Sequence, residues 1–296
     1  MPSFTDLIEN EKKNKIVGGT LYLIATPIGN LADFSARALK ILGGVDFIAA
    51  EDTRNAQKLL SFFELPRKEC VSYFEHNKRE KGEWILSRLL KGESCALLTD
   101  AGTPAVSDPG EDIVRLCAEQ NVPVTAVPGC CAAINALSLS ALPTGRFAFE
   151  GFLSANAGER RRHLEKVATE ERTMIFYEAP HKLKATLADM LSVLGDRRIT
   201  LCREMTKLNE EIMRTTLSLA VAHYEANLPR GEYVLVLEGY AGGAATEDAW
   251  FSSLTDEEHV AFYEAKGLSR MDAIKSAAKD LGIPKSELYR RLNHAN

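Results

Sequence analysis

Glu51-Asp52-Thr53-Arg54 sets two acids, a hydroxyl and a cation in a row directly after the apolar run Val45–Ala50. Side chains of these types can bind a polar ligand and take a proton from it. A helix cap by Asp52 or Thr53 accounts for only one of the four. A longer loop, Leu98-Thr99-Asp100-Ala101-Gly102-Thr103-Pro104-Ala105-Val106-Ser107-Asp108-Pro109-Gly110, closes the run Cys95–Thr99. Its small residues Ala101, Gly102 and Ala105 leave the backbone open to a ligand, and its prolines stiffen it. Thr26-Pro27-Ile28-Gly29-Asn30 and Val127-Pro128-Gly129-Cys130-Cys131-Ala132-Ala133 repeat that design after two further apolar runs. The adjacent cysteines stand at a helix start, a position that lowers a thiol pKa. No base lies near them in sequence, so they read as small packing residues. Farther on, Phe176-Tyr177-Glu178-Ala179-Pro180-His181-Lys182 and Arg203-Glu204-Met205-Thr206-Lys207 carry charge to comparable positions. His76-Asn77, with Lys78 and Arg79 behind it, reads as a surface cap or as a polar pair facing a substrate. These loops carry neither G-x-G-x-x-G nor G-K-[ST], the fingerprints of dinucleotide and P-loop sites.

The elements that must hold these loops follow from the hydrophobic pattern. Strand-length runs at Leu21–Ala25, Val45–Ala50, Cys95–Thr99 and Val122–Val127 alternate with helical spacing at Ser35–Leu42, Asn55–Phe62, Glu83–Leu90 and Gly110–Glu119. A short run at Val71–Phe74 adds another strand. Near-continuous apolar strands between helices predict a parallel or mixed sheet covered on both faces. After a helix at Ala132–Ala141, the alternation restarts. Strands are expected at Arg146–Gly151, Thr173–Tyr177, Ile199–Arg203 and Tyr233–Glu238, with helices at Glu159–Thr169, His181–Leu194 and Leu217–Asn227. The expected class is α/β: two αβα domains with mixed sheets, at 19–143 and 144–240, and a small C-terminal helical segment. In such sheets, ligands bind beyond the carboxyl ends of the strands, where all these loops lie.

A flexible lead is expected over 1–18 and a linker over 241–254. From Ala241 to Glu258 there are five acids and no Lys or Arg, and from Lys266 to Asn296 seven basic residues against three acids. The tail, 255–296, reads as short helices at Asp256–Ala265, Arg270–Leu281 and Lys285–Leu292, with Ala273, Ala277, Leu281 and Leu288 on an apolar face. A helix, a Gly-containing turn and a second helix make a helix-turn-helix pattern. A plain helical appendage fits the same residues.

The chain has 296 residues, 45% hydrophobic and 26% charged, with net charge −5. That composition is globular, and no apolar run has the roughly 18 residues of a membrane span. The first residues lack the apolar core of a secretory signal. None of the six cysteines forms C-x-x-C, so neither zinc nor a disulfide framework is expected and a reducing cytoplasm fits. The negative balance excludes coating nucleic acid through bulk charge, while local basic patches remain, at Arg160-Arg161-Arg162 and in the tail.

In order along the chain stand GTLYLIATPIGNLAD, AAEDTR, LLTDAGTPAVSDPG, VPGCCAAINAL, FEGFL, TMIFYEAPHKL, REMTK and RGEYVLVLEG. Together they resemble the ribosomal RNA small subunit methyltransferase I family of the tetrapyrrole methylase superfamily. The resemblance departs at Phe74-Glu75-His76-Asn77, where the family pattern is richer in histidine.

The resemblance implies S-adenosylmethionine folded into a cleft between two domains, no metal, no membrane and, usually, a homodimer. It implies 2′-O-methylation of a decoding-region cytidine in the 16S rRNA of the 30S subunit. By motif matching, Ile28, Ala101, Gly102, Thr103, Val106, Cys131 and Ala132 would touch the cofactor, Asp100 would border it, and Phe176, Tyr177 and Glu178 would close over it. For the chemistry, Glu51, Asp52 and Glu178 are candidate bases. Arg54, Lys207 and Arg203 are candidates to steer phosphates or polarise the ribose, and His76 and Asn77 to meet the substrate. A methyltransferase acting on a tetrapyrrole-like small molecule would share the cleft without needing a basic tail. A module that merely senses the cofactor would not need the Glu51–Arg54 set.

Overall fold

The computed structural model describes residues 15–241, 254–281 and 283–294. The expected lead over 1–18 and linker over 241–254 lie mostly outside these residues. Among them, no helix is long and apolar enough to cross a membrane.

Five strands, β1 (Leu21–Ile24), β2 (Phe47–Ala50), β3 (Glu69–Ser72), β4 (Cys95–Leu98) and β5 (Val124–Val127), form a sheet in the order β3-β2-β4-β1-β5. Every pairing in it is parallel. Burial on both faces explains why the inner strands β1, β2 and β4 are continuous apolar runs; the edge strands β3 and β5 are less buried, and β3 starts two residues before the expected Val71–Phe74. In β2, Ile48 and Ala50 join the core that includes Ile41, Leu42 and Leu60. Phe47 and Ala49 join the opposite core with Ile85, Leu89 and Ile113.

A second sheet has the order β6-β7-β10-β8-β9 and is mixed. Its strands are β6 (Phe147–Phe152), β7 (Thr173–Glu178), β8 (Arg198–Arg203), β9 (Glu211–Thr216) and β10 (Tyr233–Leu237). Only β6 and β7 run parallel; β7-β10, β10-β8 and β8-β9 are antiparallel. The sequence reading has no strand at Glu211–Thr216. Glu-Ile-Met-Arg-Thr-Thr is an edge strand of exposed and half-buried residues, and it lacks the apolar run that marks its neighbours. The expected helix at His181–Leu194 starts one residue earlier, with Pro180 in the first turn, where its missing N–H is harmless.

The helix Ala132–Leu139 couples the two sheets. It follows β5 of the first sheet, yet Ala133, Ala136 and Leu137 pack in one core with Ile175, Cys202, Val234 and Val236 of the second. It thereby holds the C-terminal ends of the first sheet's strands against one face of the second sheet.

At the C-terminus, helices Asp256–Ala265, Arg270–Asp280 and Lys285–His294 bury a core of their own: Val260, Ala273, Ile274, Ala277, Ala278, Leu288 and Leu292. Short helices depend on packing, and these three lean on one another. A capping box of Thr255 and Glu258 opens the first.

Candidate active site between the two sheets

The loop after β1 and the loop after β4 are stitched by a two-way backbone bridge. Thr26 N–H donates to Gly102 O at 2.9 Å, and Gly102 N–H returns the bond to Thr26 O at 3.1 Å. Gly102 sits at φ +87°, and Ala105 and Ser107 also take left-handed backbone, at +65° and +62°. Non-glycine residues there cost about 1–3 kcal/mol each, so the surrounding structure must enforce this shape. Part of that enforcement is a bond from the Thr103 hydroxyl to Cys130 O at 3.0 Å, which ties the long loop to the one after β5. From the second sheet, Lys207 lies against the first loop. A Cβ on Gly29 would stand 2.4 Å from Lys207 Cγ, so only glycine admits this approach.

These loops enclose a cavity of about 450 Å³ between the sheets. Ile28, Glu51, Asp100, Ala101, Gly102, Thr103, Val106, Cys131 and Ala132 line it from the first sheet, and Tyr177, Glu178 and Lys207 from the second. Sequence reasoning missed Asp108, Phe152, Glu204, Met205 and Glu232, which also line it. Asp108 and Met205 stood inside recognised loops, and no local signal distinguished them from their neighbours.

One wall is acidic. Burial raises the Glu51 carboxyl above its ordinary value, and the Asp100 charge adds to that. Burial, then the charges of Glu51 and Asp100, push Asp108 up to about 6. Ile28, Val106, Phe152, Met205 and the ring of Tyr177 add an apolar lining. Tyr177 packs edge-on against Phe149 and Phe152. A bare backbone, an acidic wall and an apolar wall suit a cationic ligand with a hydrophobic part.

Several expected site residues are placed elsewhere. Phe176 is corrected: its side chain is fully buried in the core with Leu183 and Leu187 and lies outside the cavity lining, because alternation along β7 turns it to the face opposite Tyr177. The Glu178 carboxylate is buried and committed; it accepts from Ala179 N–H at 2.8 Å and from the Thr186 hydroxyl, and pairs with Lys182 Nζ at 2.9 Å. Three donors already hold it, which leaves it less able than Glu51 to take a proton from a substrate. Lys207 Nζ bridges Glu204 at 2.9 Å and Glu232 at 2.8 Å.

Asp52 caps the helix Thr53–Phe62 through Arg54 N–H at 2.8 Å and grips the Arg54 guanidinium, with Nη2 at 2.7 Å. The guanidinium and the backbone bond hold its carboxyl at about 2. Asp52 faces a smaller adjoining hollow rather than the main cavity. Arg54 is almost fully exposed and lines neither the cavity nor the hollow.

His76, Asn77 and Arg203 lie outside the cavity lining. Asn77 Oδ1 accepts from Phe74 N–H, and its Nδ2 donates to Ser72 O, closing the turn after β3, while His76 sits edge-on to Phe74. Arg203 Nη2 donates to Asn209 O; its Nε faces Glu211 at 3.4 Å, an ion-pair distance without hydrogen-bond alignment. Cys130 and Cys131 are half-buried, and burial pushes the Cys130 thiol up, the reverse of an activated nucleophile. Among the described residues, no group of His, Cys, Asp and Glu could hold a metal ion.

Residues 20–220 match the family Tetrapyrrole (Corrin/Porphyrin) Methylases. The ribosomal RNA small subunit methyltransferase I of Halalkalibacterium halodurans is 45% identical over 271 residues, covering 92% of this chain and 93% of that protein. The chain belongs to the ribosomal RNA small subunit methyltransferase I family.

Solved structures place the fold of this family member among more distant methylases. A cobalt precorrin-4 methyltransferase aligns with TM-score 0.55 and 18% identity, over 74% of this chain and 94% of that one. A uroporphyrin-III C-methyltransferase from Thermus thermophilus, complexed with S-adenosylhomocysteine, aligns with TM-score 0.52 and 16% identity, over 73% and 96%. At such identities they carry the fold alone: a parallel sheet and a mixed sheet facing each other.

Proposed function

We propose that this chain transfers the methyl group of S-adenosylmethionine to the ribose 2′-hydroxyl of a cytidine in the decoding region of 16S rRNA. The observation that carries this reading is the cavity with its acidic and apolar walls, on the face where the sheets meet. A cavity of about 450 Å³ is within the range of cofactor-sized ligands. Bound S-adenosylmethionine supplies the electrophile, a methyl group on a sulfonium. Gly102 and its neighbours present bare backbone to it, the Ile28, Val106 and Met205 side chains cover its apolar part, and Asp100 and Asp108 complement its positive charge.

Of the candidate bases, Glu51 alone both lines the cavity and has a raised pKa; its carboxylate accepts a hydrogen bond from the backbone N–H of Asp100. A raised pKa makes a carboxylate a better proton acceptor at neutral pH. In this reading Glu51 would take the 2′-hydroxyl proton as the methyl group leaves the sulfonium sulfur, now a neutral thioether, for the ribose oxygen. Arg54, exposed three residues after Glu51, meets a backbone phosphate; unpaired rRNA presents its ribose without a helix in the way. The exposed basic residues Lys266, Arg270, Lys275, Lys285 and Arg290 of the C-terminal helices supply further phosphate contacts. The working form is a cytoplasmic homodimer.

A tetrapyrrole-like substrate is the second reading, and the acidic wall disfavours it, since carboxylate-bearing macrocycles would be repelled by Glu51, Asp100 and Asp108. Incubating the enzyme with tritiated S-adenosylmethionine and either unmethylated 30S subunits or uroporphyrinogen III separates the two. Label in the 16S rRNA ribose is expected. Label in the macrocycle alone would overturn the reading.

A further inference from the structure

A groove runs between the helix Thr53–Phe62 and the edge strand β3, lined by Thr53, Gln57, Arg67, Lys68, Glu69 and Cys70. One end meets the site. Glu51, two residues before Thr53, lines the cavity, and Asp52 and Asn55 line the hollow beside it. Arg67 and Lys68, which lead into β3, stand at the other end. Gln57 braces the two sides: its Nε2 donates to Lys68 O at 2.9 Å and to Cys70 Sγ at 3.0 Å. Both hydrogens of that amide are thereby used. The backbone carrying Arg67 and Lys68 is held about one helical turn, roughly 5.4 Å, along the helix from Thr53.

Two acids flank these cations, and both are committed elsewhere. Glu69 Oε2 pairs with Arg88 Nη1 at 2.8 Å. Phe47 pairs with Glu69 in register, so Asp46 stands beside Lys68. The Asp46 carboxylate, however, accepts from the Ser94 N–H and the Ser94 hydroxyl, each at 2.7 Å. Among the described residues, neither Arg67 nor Lys68 forms an ion pair, and neither does Lys58, exposed one turn beyond Arg54 on the same helix. The chain as a whole carries net charge −5. Unpaired cations gathered in a groove that leads to the cavity therefore mark a local anion site, and a guanidinium beside an ammonium suits phosphate.

We propose that this groove holds the phosphate backbone of the rRNA strand adjoining the target nucleotide. Arg67 and Lys68 grip the strand at the far end, Lys58 and Arg54 continue the track along the helix, and the strand enters the cavity past Glu51. Gln57 has spent its amide hydrogens on the protein itself, so the groove positions the strand without reading base edges. The proposal rests on the ribose-methylation reading above.

The test measures binding of the full-chain enzyme to unmethylated 30S subunits across a salt series, beside labelling with tritiated S-adenosylmethionine. Arg67→Gln combined with Lys68→Gln should weaken binding about tenfold or more and make the log–log salt slope shallower by about 1.4, the share of two phosphates on a single strand. Cofactor affinity and melting temperature should not move, since neither side chain is buried. Lys91→Gln combined with Lys166→Gln removes the same charge away from the groove and should bind as wild type does. Lys91 follows the helix Lys78–Leu89 on the opposite face of the first sheet, and Lys166 belongs to the second sheet's helices. Equal losses in the two double variants would reduce the effect to bulk charge and overturn the groove's role, as would wild-type affinity in the first. Weaker binding to 30S subunits with wild-type binding to protein-free 16S rRNA would assign the groove to a ribosomal protein and overturn it too. Each of these results leaves ribose methylation standing. If wild type labels no 16S rRNA, the functional reading itself falls and the groove's role with it.

Discussion

The Tyr177 hydroxyl accepts a 3.2 Å hydrogen bond from the backbone N–H of Ala133. Tyr177 belongs to β7 of the second sheet, and Ala133 lies in the first turn of the helix that follows β5 of the first. The bond satisfies one of the N–H groups that a helix start leaves open. It does so at the cavity wall, so sheet-to-sheet alignment and cavity shape depend on the same contact.

Tyr177→Phe keeps the ring against Phe149 and Phe152 and removes only this acceptor. A buried donor left unmatched costs about 1–3 kcal/mol. Thermal melts should fall by a few degrees, and calorimetry should show weaker S-adenosylmethionine binding. An unchanged melt would mean the two sheets are held without this bond.

Asp108 makes the stability of the fold depend on pH. Its folded-state pKa is raised to about 6 from an ordinary value of 3.8. Between about pH 4 and pH 6 the native protein therefore keeps a proton that the unfolded chain has lost, and stability falls as pH rises through this window. Above it the loss is complete. Asp108→Asn should flatten that slope and raise stability at pH 7, as read by urea unfolding at pH steps from 4 to 7. The same slope in both proteins would assign it to other groups.

Asp52 and Arg54 form an exposed pair, and exposed pairs add little to stability. Arg54→Ala should leave the melting curve unchanged and reduce methyl incorporation into 30S subunits, chiefly through KM. Asp52→Ala should also lower the melting temperature, since it removes the cap of the helix Thr53–Phe62. Arg54→Ala with normal 30S kinetics would remove Arg54 from the substrate contacts.

The C-terminal helices bury their apolar faces among themselves, so truncation after Tyr240 should leave the two sheets folded, with an unchanged melting temperature and cofactor affinity. Binding to 30S subunits should weaken, and its dependence on salt should become shallower as phosphate contacts are lost. A truncated protein that aggregates would show that the tail covers the body; one that binds 30S subunits with unchanged affinity and salt slope would show that the tail meets no RNA.

The inner strands of the first sheet were legible because parallel strands buried on both faces leave unbroken apolar runs. Glu211–Thr216 was not, because an edge strand shares its composition with a loop. The loops of the site were legible from their glycines, prolines and charges, which are local. Which side chains enter the cavity was not. Motif matching takes Phe176, Tyr177 and Glu178 together, whereas a strand alternates and a buried carboxylate finds partners such as Lys182 and Thr186 that lie several residues away. Likewise, Glu51 and Asp52 are equivalent in the sequence, and only the bend at the end of β2 sends one to the cavity and the other to the hollow. The packing of Ala132–Leu139 on the second sheet joins residues some forty to one hundred positions apart, and no local pattern encodes it.

Glu51→Gln tests the central claim most directly, because it removes proton acceptance while preserving size and polarity. Cofactor affinity should stay within a few-fold of wild type by calorimetry, and single-turnover methyl incorporation into 30S subunits should fall by about 100-fold or more. Incorporation at the wild-type rate would contradict the assignment of the cavity's acidic wall to deprotonation of the ribose.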